Sequence, residues 1–203
     1  MKLKEKYKIK SIDKKLANLI QIKNHYLKTH ASCTQAFGLF EDEDLIGVIL
    51  YGNPTAPTTN KICGNAHIKD VVEITRLWVK DDTPKNTESF FIGRTLKLVN
   101  KPIVVAFADP EAGHIGTVYQ ASNFLYTGKS NRGGKVISIK NNNIHNKTLW
   151  KQYKTAKKIR EVFGDENVYY KEYVTKHRYV YFKNKKLINK LIYKSESYPK
   201  IHT

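Results

Sequence analysis

The sequence predicts an α/β fold, a mixed β-sheet flanked by helices on both faces. Three observations point there. β-type and helical runs alternate along the chain; the early β-type runs lie close enough to pair as antiparallel neighbours; the later ones are separated by helical stretches. No internal repeat or Gly/Ser linker interrupts the 203 residues, 40% of them hydrophobic, so a single domain over 1–203 is expected.

Residues 7–12 (YKIKSI) alternate and read as the first strand. Asp13 suits the N-cap of a helix over 14–29, with Leu16, Leu19, Ile20 and Leu27 as its apolar stripe, interrupted by Lys23. Residues 34–40 and 45–51 form a hairpin that turns at Glu41-Asp42-Glu43-Asp44, and Gly52-Asn53-Pro54 ends its second strand. The polar loop 53–65 has a length that points to function or disorder. A strand over 71–79 stops at Asp81-Asp82-Thr83-Pro84, followed by a helix over 88–99, a strand over 103–108 and a helix over 116–125. Further on come a short strand at 136–140, a basic amphipathic helix at 148–163, one or two strands within 169–182, and a polar, lysine-rich tail beyond Lys183. If the fourth and fifth strands part, the sheet splays and opens a cleft between them.

The formal charge is +18 and is unevenly spread: +7 over residues 1–30, −3 over 31–128 and +14 over 129–203. Such an excess favours a nucleic-acid partner, since neutralised phosphates release counterions; a lysine-rich surface with no partner is the plainer alternative. No apolar run is long enough to span a membrane, and the N-terminus MKLKEKYKIK lacks the apolar core of a signal peptide. Cys33 and Cys63 have no metal-site spacing. A cytoplasmic protein without a membrane partner or a disulfide is expected.

The candidate chemistry gathers at the end of the 103–108 strand. Asp109 precedes Pro110 there, placed to act as a general base, to orient His114, or simply to cap the following turn. His114 lies between Gly113 and Gly116, which allow close approach to a ligand, and its imidazole can take a proton from an amine. Tyr119, Gln120 and Ser122 follow on the next helix. Glu73 and Arg76 stand three apart on a strand, so they point to opposite faces unless a bulge intervenes, and Arg76 suits a phosphate or carboxyl clamp. Lys154, Lys157 and Lys158, beside Trp150 and Tyr153, and Lys176 and Arg178, beside Tyr179, combine charge with stacking surface in the manner of a nucleic-acid groove. His25, His67, His114, Asp109 and Glu73 show no diagnostic metal spacing, so no metal is expected.

The element order resembles the GNAT acyltransferase fold. Asn24-His25-Tyr26, Tyr51-Gly52-Asn53-Pro54, Glu73-Ile74-Thr75-Arg76-Leu77-Trp78-Val79, the block from Ala108 through Asp109-Pro110-Glu111-Ala112-Gly113-His114 to Gly128, and Lys176-His177-Arg178-Tyr179 together resemble the Mom-type phage DNA-modification proteins. The resemblance implies a transferase that converts adenine in double-stranded DNA to an N6-carbamoylmethyl derivative and so blocks restriction in the infected host cell. The adenine would be flipped out of the duplex. His25, Tyr26 and Asn53 would then flank or read the base. Asp109 and His114 would activate or orient the nucleophile, Tyr119 would assist the leaving group, and Gln120 and Ser122 would bond base or donor.

Ordinary GNAT enzymes carry a glycine-rich loop for the donor pyrophosphate, whereas this chain has Thr83-Pro84-Lys85-Asn86-Thr87-Glu88-Ser89. The donor is therefore open between an acyl-CoA and a glycyl carrier such as aminoacyl-tRNA. Two other functions stay open: a GNAT enzyme acting on another amine, a protein or tRNA, and a non-catalytic nucleic-acid-binding protein.

Overall fold

The computed structural model describes residues 2–130, 134–142 and 144–200. A one-turn helix α1 (Leu3–Lys6) leads into β1 (Tyr7–Ser11), α2 (Lys14–Asn24) and the hairpin β2 (Gln35–Glu41) and β3 (Asp44–Gly52). A short α3 (Pro57–Asn60) lies within the polar loop and precedes β4 (Val71–Val79), α4 (Thr87–Leu98), β5 (Ile103–Ala108), α5 (Thr117–Gln120) and β6 (Leu125–Lys129). Then come β7 (Lys135–Ile139), α6 (Asn146–Tyr153), α7 (Ala156–Phe163), β8 (Val168–Glu172) and β9 (His177–Phe182).

Seven strands form one sheet in the order β1-β2-β3-β4-β5-β9-β6, with β4 and β5 parallel and the other neighbours antiparallel. Alternation along β3 sets the two faces: Ile49 and Tyr51 pack in a cluster with Phe91 and Ile92 of α4, Val48 and Leu50 in one with Ala17 of α2. Helices therefore cover both faces. Residues 135–172, between β6 and β9, form a module around Ile137, Leu149, Ile159 and Val168, with β7 and β8 as its two-stranded sheet.

Two irregularities position the site. β4 pairs with β5 only from Val71↔Ile103 to Ile74↔Ala106, although β4 continues to Val79. Beyond Ile74 the two strands part. On the other side of β4 the register slips: Arg76 lies opposite Leu50 but Ile74 opposite Tyr51, so Thr75 is an extra residue, a β-bulge. Directly opposed residues share a face. Glu73, opposite Gly52, and Arg76, opposite Leu50, are thereby brought to the same face.

Four sequence expectations are corrected, and one is made definite. α2 stops at Asn24, and its buried residues are Ala17, Asn18 and Gln21, while Leu16 and Leu19 are exposed. The two amides are buried because they bond the next loop: Gln21 Nε2 donates to the Thr29 carbonyl at 2.8 Å, and Asn18 Oδ1 accepts from Ala31 N–H at 2.9 Å. The helix expected over 116–125 is one turn, stopped at Asn123 (φ 61°), and Leu125–Lys129 is a strand. The basic helix over 148–163 is broken at Lys154 (φ 64°), and Thr155 caps its second half by accepting from Lys158 N–H. Of the one or two strands expected within 169–182 the structure has two, in different sheets: β8 pairs with β7, and β9 lies between β5 and β6. The polar tail is also a packing element: Leu187, Ile188, Leu191 and Tyr193 cover the cluster of Ile62, Val105 and Val180.

Candidate active site

A cleft of about 600 Å³ occupies the gap between β4 and β5. It is lined from both sides of the sheet: Tyr119 and Glu88 on the α4 side, His25, Tyr26, Glu73 and Arg76 on the α2 side. Asp109 sits at the end of β5, where the parted strands leave room.

Asp109 is 3% exposed and uses both oxygens. Oδ1 accepts from Glu111 N–H at 3.1 Å and so caps the turn Pro110–Ala112. Oδ2 holds the Lys176 ammonium and faces His145 Nε2 at 3.8 Å. His145 Nδ1 accepts from Lys147 N–H at 3.1 Å, so the proton of the neutral ring is on Nε2, toward Asp109. Burial opposes ionisation of Asp109, but the facing His145, the bond to Lys176 and the Lys176 charge outweigh it and hold the carboxyl well below the usual carboxylate range. Asp109 is thus a fixed anion, a capping residue and an anchor together.

The turn after Asp109 needs left-handed backbone at Gly113 (φ 75°) and Gly116 (φ 87°). Gly116 has a second reason: a Cβ there would lie 2.4 Å from the Tyr179 ring. Tyr179 is held in turn by Gln120 Nε2, which donates to its hydroxyl at 3.1 Å, and by its own bond to the Ile115 carbonyl. The exposed His114 projects from this turn into the cleft.

Across the cleft stands the loop after α2. Tyr26 stacks on His25 with ring centroids 4.3 Å apart, and its ring lies 6.1 Å from His114 and 6.5 Å from His145. Its ring is 44% exposed. Burial, then the Asp109 charge, pushes its hydroxyl up to about 12, and it stays protonated. His25 is neutral, pushed down to about 3 by burial and then by the Arg76 charge. The loop is pinned by Asn18 and Gln21 and by Thr148 of the 135–172 module, whose hydroxyl donates to the Leu27 carbonyl at 3.0 Å.

Arg76 donates from Nη1 to the Thr75 carbonyl at 2.6 Å and from Nη2 to Thr29 Oγ1 at 3.3 Å, while its buried Nε has no partner. Burial pushes the Glu73 carboxyl up against weaker opposing contributions from Thr55 N–H and the nearby cations. Tyr119 is packed between Phe124 and Tyr179, and burial holds its phenol far above the ordinary range, so it remains a proton donor.

Of the residues expected from the sequence, Asp109, His114, Tyr119, His25, Tyr26, Glu73, Arg76, Lys176 and Arg178 line the cleft. Lys176 and Arg178 are inside it and not on an outer groove; Arg178 is 6% exposed, bonds Thr127 through Nε and Nη2, and lies 3.5 Å over the Tyr193 ring. Asn53, Gln120 and Ser122 are outside the lining. Asn53 is exposed, Gln120 serves Tyr179, and Ser122 donates to the Val118 carbonyl at 2.7 Å. Lys154, Lys157 and Lys158 are exposed on the 135–172 module, with Lys158 paired to Glu161. Lys147, Glu88, Tyr173 and Tyr193 also line the cleft, and His145 bonds it from outside. No motif marked Lys147, Tyr173, Tyr193 or His145, because elements far along the chain deliver them; Glu88 comes from the start of α4, beside the loop that stands in place of a glycine-rich one. Among the described residues no three of His, Cys, Asp and Glu converge as a metal site, and no helix is long and apolar enough to cross a membrane.

At the N-terminus of α4 a smaller hollow of about 210 Å³ is lined by Lys80, Thr83, Asn86, Thr87 and Glu88 among others. Asn86 takes left-handed backbone (φ 71°), the conformation a glycine supplies in a glycine-rich loop.

The fold is similar to those of yncA from Salmonella typhimurium, solved with acetyl-CoA (TM-score 0.50, 11% identity, covering 89% of this chain and 95% of that one), and Arabidopsis thaliana NAA60, also in complex with acetyl-CoA (TM-score 0.50, 11% identity, 88% and 99%). The mixed sheet with its parted β4 and β5 is a GNAT fold. In sequence, the chain is 30% identical over 209 residues to the methylcarbamoylase mom of Escherichia phage Mu, covering 95% of this chain and 83% of the relative. The Mom protein family matches residues 6–200. With nearly its whole length matched, and the cleft within the matched span, this chain belongs to the Mom protein family.

Proposed function

We propose that this transferase modifies adenine at N6 in double-stranded DNA, installing a carbamoylmethyl-type group that protects phage DNA from restriction in the infected host cell. The relative in phage Mu is named a methylcarbamoylase. The observation that carries the reading is Tyr26, an exposed aromatic ring inside a cleft, stacked on a neutral histidine and facing His114. A flipped purine needs such a platform, and base–aromatic stacking is worth about 1–3 kcal/mol.

With the base on Tyr26, the exocyclic amine meets the Asp109 side of the cleft. A carboxylate held this far down is a weak base, so Asp109 orients Lys176 and His145 and stabilises positive charge developing on the attacking nitrogen. His114 accepts the proton the amine loses. Tyr119, still protonated, gives a proton to the leaving group from the α4 side.

An acyl-CoA fits that side: β4 beyond Ile74 has a backbone edge unpaired with β5 for an extended amide chain, and the Glu88 and Ser89 amides at the start of α4 can meet phosphate. When bound it would supply an activated thioester, whose attack by N6 forms an N6–C(=O) bond and releases the CoA thiol; to end as its carbamoylmethyl isomer, a glycyl-type group would have to shift its attachment from the carbonyl carbon to the methylene carbon. A glycyl group carried by aminoacyl-tRNA is the rival for the same opening; the carrier leaves and is not in the product, so supplying each donor separately to purified protein and DNA separates the two.

The test is expression in a plain bacterial host, digestion of its DNA to nucleosides, and mass spectrometry. A new deoxyadenosine derivative is expected, absent with Asp109→Ala while DNA binding persists. Unmodified DNA from folded wild-type protein, or full modification by Asp109→Ala, would overturn the reading.

A further inference from the structure

The longest stretch of this chain without an acidic residue runs from Ala112 to Arg160, and it contains ten Lys and Arg. Its most regular element is α6. At 100° per residue, Lys147, Trp150 and Lys151 share one arc about 100° wide, opposite Leu149 and Tyr153, which pack in the module core, and Lys154 (φ 64°) caps the helix just beyond. Lys147 reaches the cleft lining, and Trp150 is 39% exposed. An indole in water between lysines is not explained by the packing of the module. The stripe begins at the cleft mouth and covers about 6 Å of helix, and the capping Lys154 extends the row to about 10 Å, a length of two or three nucleotides.

We propose that this face of α6 is a track for the unpaired DNA strand next to the flipped adenine, with Trp150 stacking on a neighbouring base and Lys151 and Lys154 contacting successive phosphates. This rests on the DNA-modification reading above. An intact duplex leaves no base face open to the indole, whereas a strand opened to release one base does. The helix carries no carboxylate of its own, so beyond Lys147, whose charge acts on Glu73 in the cleft, its lysines complement a phosphate backbone, and its continuity with the cleft fixes the direction in which the strand leaves the site.

The experiment is fluorescence anisotropy of a labelled single-stranded oligothymidylate of about twelve nucleotides with one central adenine, over a range of salt, with the matching duplex in parallel. Trp150→Ala should weaken single-strand binding about tenfold and Trp150→Phe should restore most of it. Lys151→Ala/Lys154→Ala should lower the salt slope by about 1.4. Lys4→Ala/Lys8→Ala, which removes the same charge at the other edge of the sheet, should leave the slope near wild type. Unchanged binding in both α6 variants, an equal loss in Lys4→Ala/Lys8→Ala, or a loss confined to the duplex overturns the track. Host DNA from the same strains separates the two claims. If wild type modifies DNA and the α6 variants bind as wild type, the track fails and the function stands. If wild type modifies no DNA while oligonucleotide binding still depends on Trp150, Lys151 and Lys154, the function fails and the track stands.

Discussion

Lys176→Met tests whether the cleft is built around the Asp109 ion pair. Asp109 and Lys176 are 3% and 19% exposed, so solvent screens their interaction little. Methionine keeps the apolar stem but strands a buried carboxylate. Removing one partner of a buried pair costs about 3–5 kcal/mol; His145, 3.8 Å away, and the Glu111 N–H still face the carboxylate and offset part, which leaves about 2–3 kcal/mol. Unfolding entropy of about 2.1 cal/mol/K per residue over 203 residues gives roughly 0.43 kcal/mol/K, so Tm should fall by about 5–7 °C at pH 7. The assay is thermal unfolding of wild type, Lys176→Met, Asp109→Asn and the double variant. The double variant should recover much of the loss, with a coupling of about 1.5 kcal/mol or more. The pH dependence has a fixed sign. Asp109 is held below its ordinary range near 3.9, so its contribution is complete above that value and is lost as pH falls through the folded one. In Lys176→Met the carboxyl titrates higher, and the Tm gap narrows from pH 7 toward pH 4. Additive single effects, or a gap independent of pH, would refute the anchoring argument.

Three further outcomes follow from the site. Gly116→Ala adds positive-φ strain to a 2.4 Å clash with Tyr179 and should cost about 2–4 kcal/mol in urea unfolding, whereas Gly113→Ala, with open space around its Cβ, should cost about 1–2 kcal/mol. His25 is held near 3 when folded and titrates near 6.5 when unfolded; stability should therefore decline as pH drops from 6.5 toward 3, and His25→Gln should flatten that slope in pH-dependent denaturation. Gln21→Ala should cost about 1–2 kcal/mol and raise the DNA concentration needed for half-maximal modification, because it unpins the loop carrying Tyr26; equal DNA requirements would show that the loop is held without it.

Much of the sheet was legible because its strands obey local rules. The hairpin of β2 and β3, the buried run of β5 and the cap at Asp13 are written in adjacent residues. What stayed hidden depends on partners distant in sequence. Leu16 and Leu19 predict a stripe that Asn18 and Gln21 override, because their amides have a loop to hold. Strand β6 was missed, the expected helix running into its first residue, Leu125, because pairing with the distant β9 decides its state. The site shows the same division. Asp109, His114 and Tyr119 lie within eleven residues of one another and were legible together, whereas Lys147, Tyr173 and Tyr193 reach the cleft by topology. Glu73 and Arg76 share a face only through the bulge at Thr75, which no residue type there announces.

The position of β9 also bears on how the protein is made. It is the last strand in the sequence, yet it separates β5 from β6 in the sheet. A growing chain has β5 and β6 complete when residue 129 is joined, but their common neighbour ends at residue 182. At 5–20 residues per second the ribosome needs roughly 3–10 s to cover that interval. During that time two apolar strands present bare edges that invite mispairing with other chains. The acid-free stretch from Ala112 to Arg160 brackets β6 and emerges in the same interval. Like-charge repulsion between nascent copies would keep these edges apart until β9 arrives.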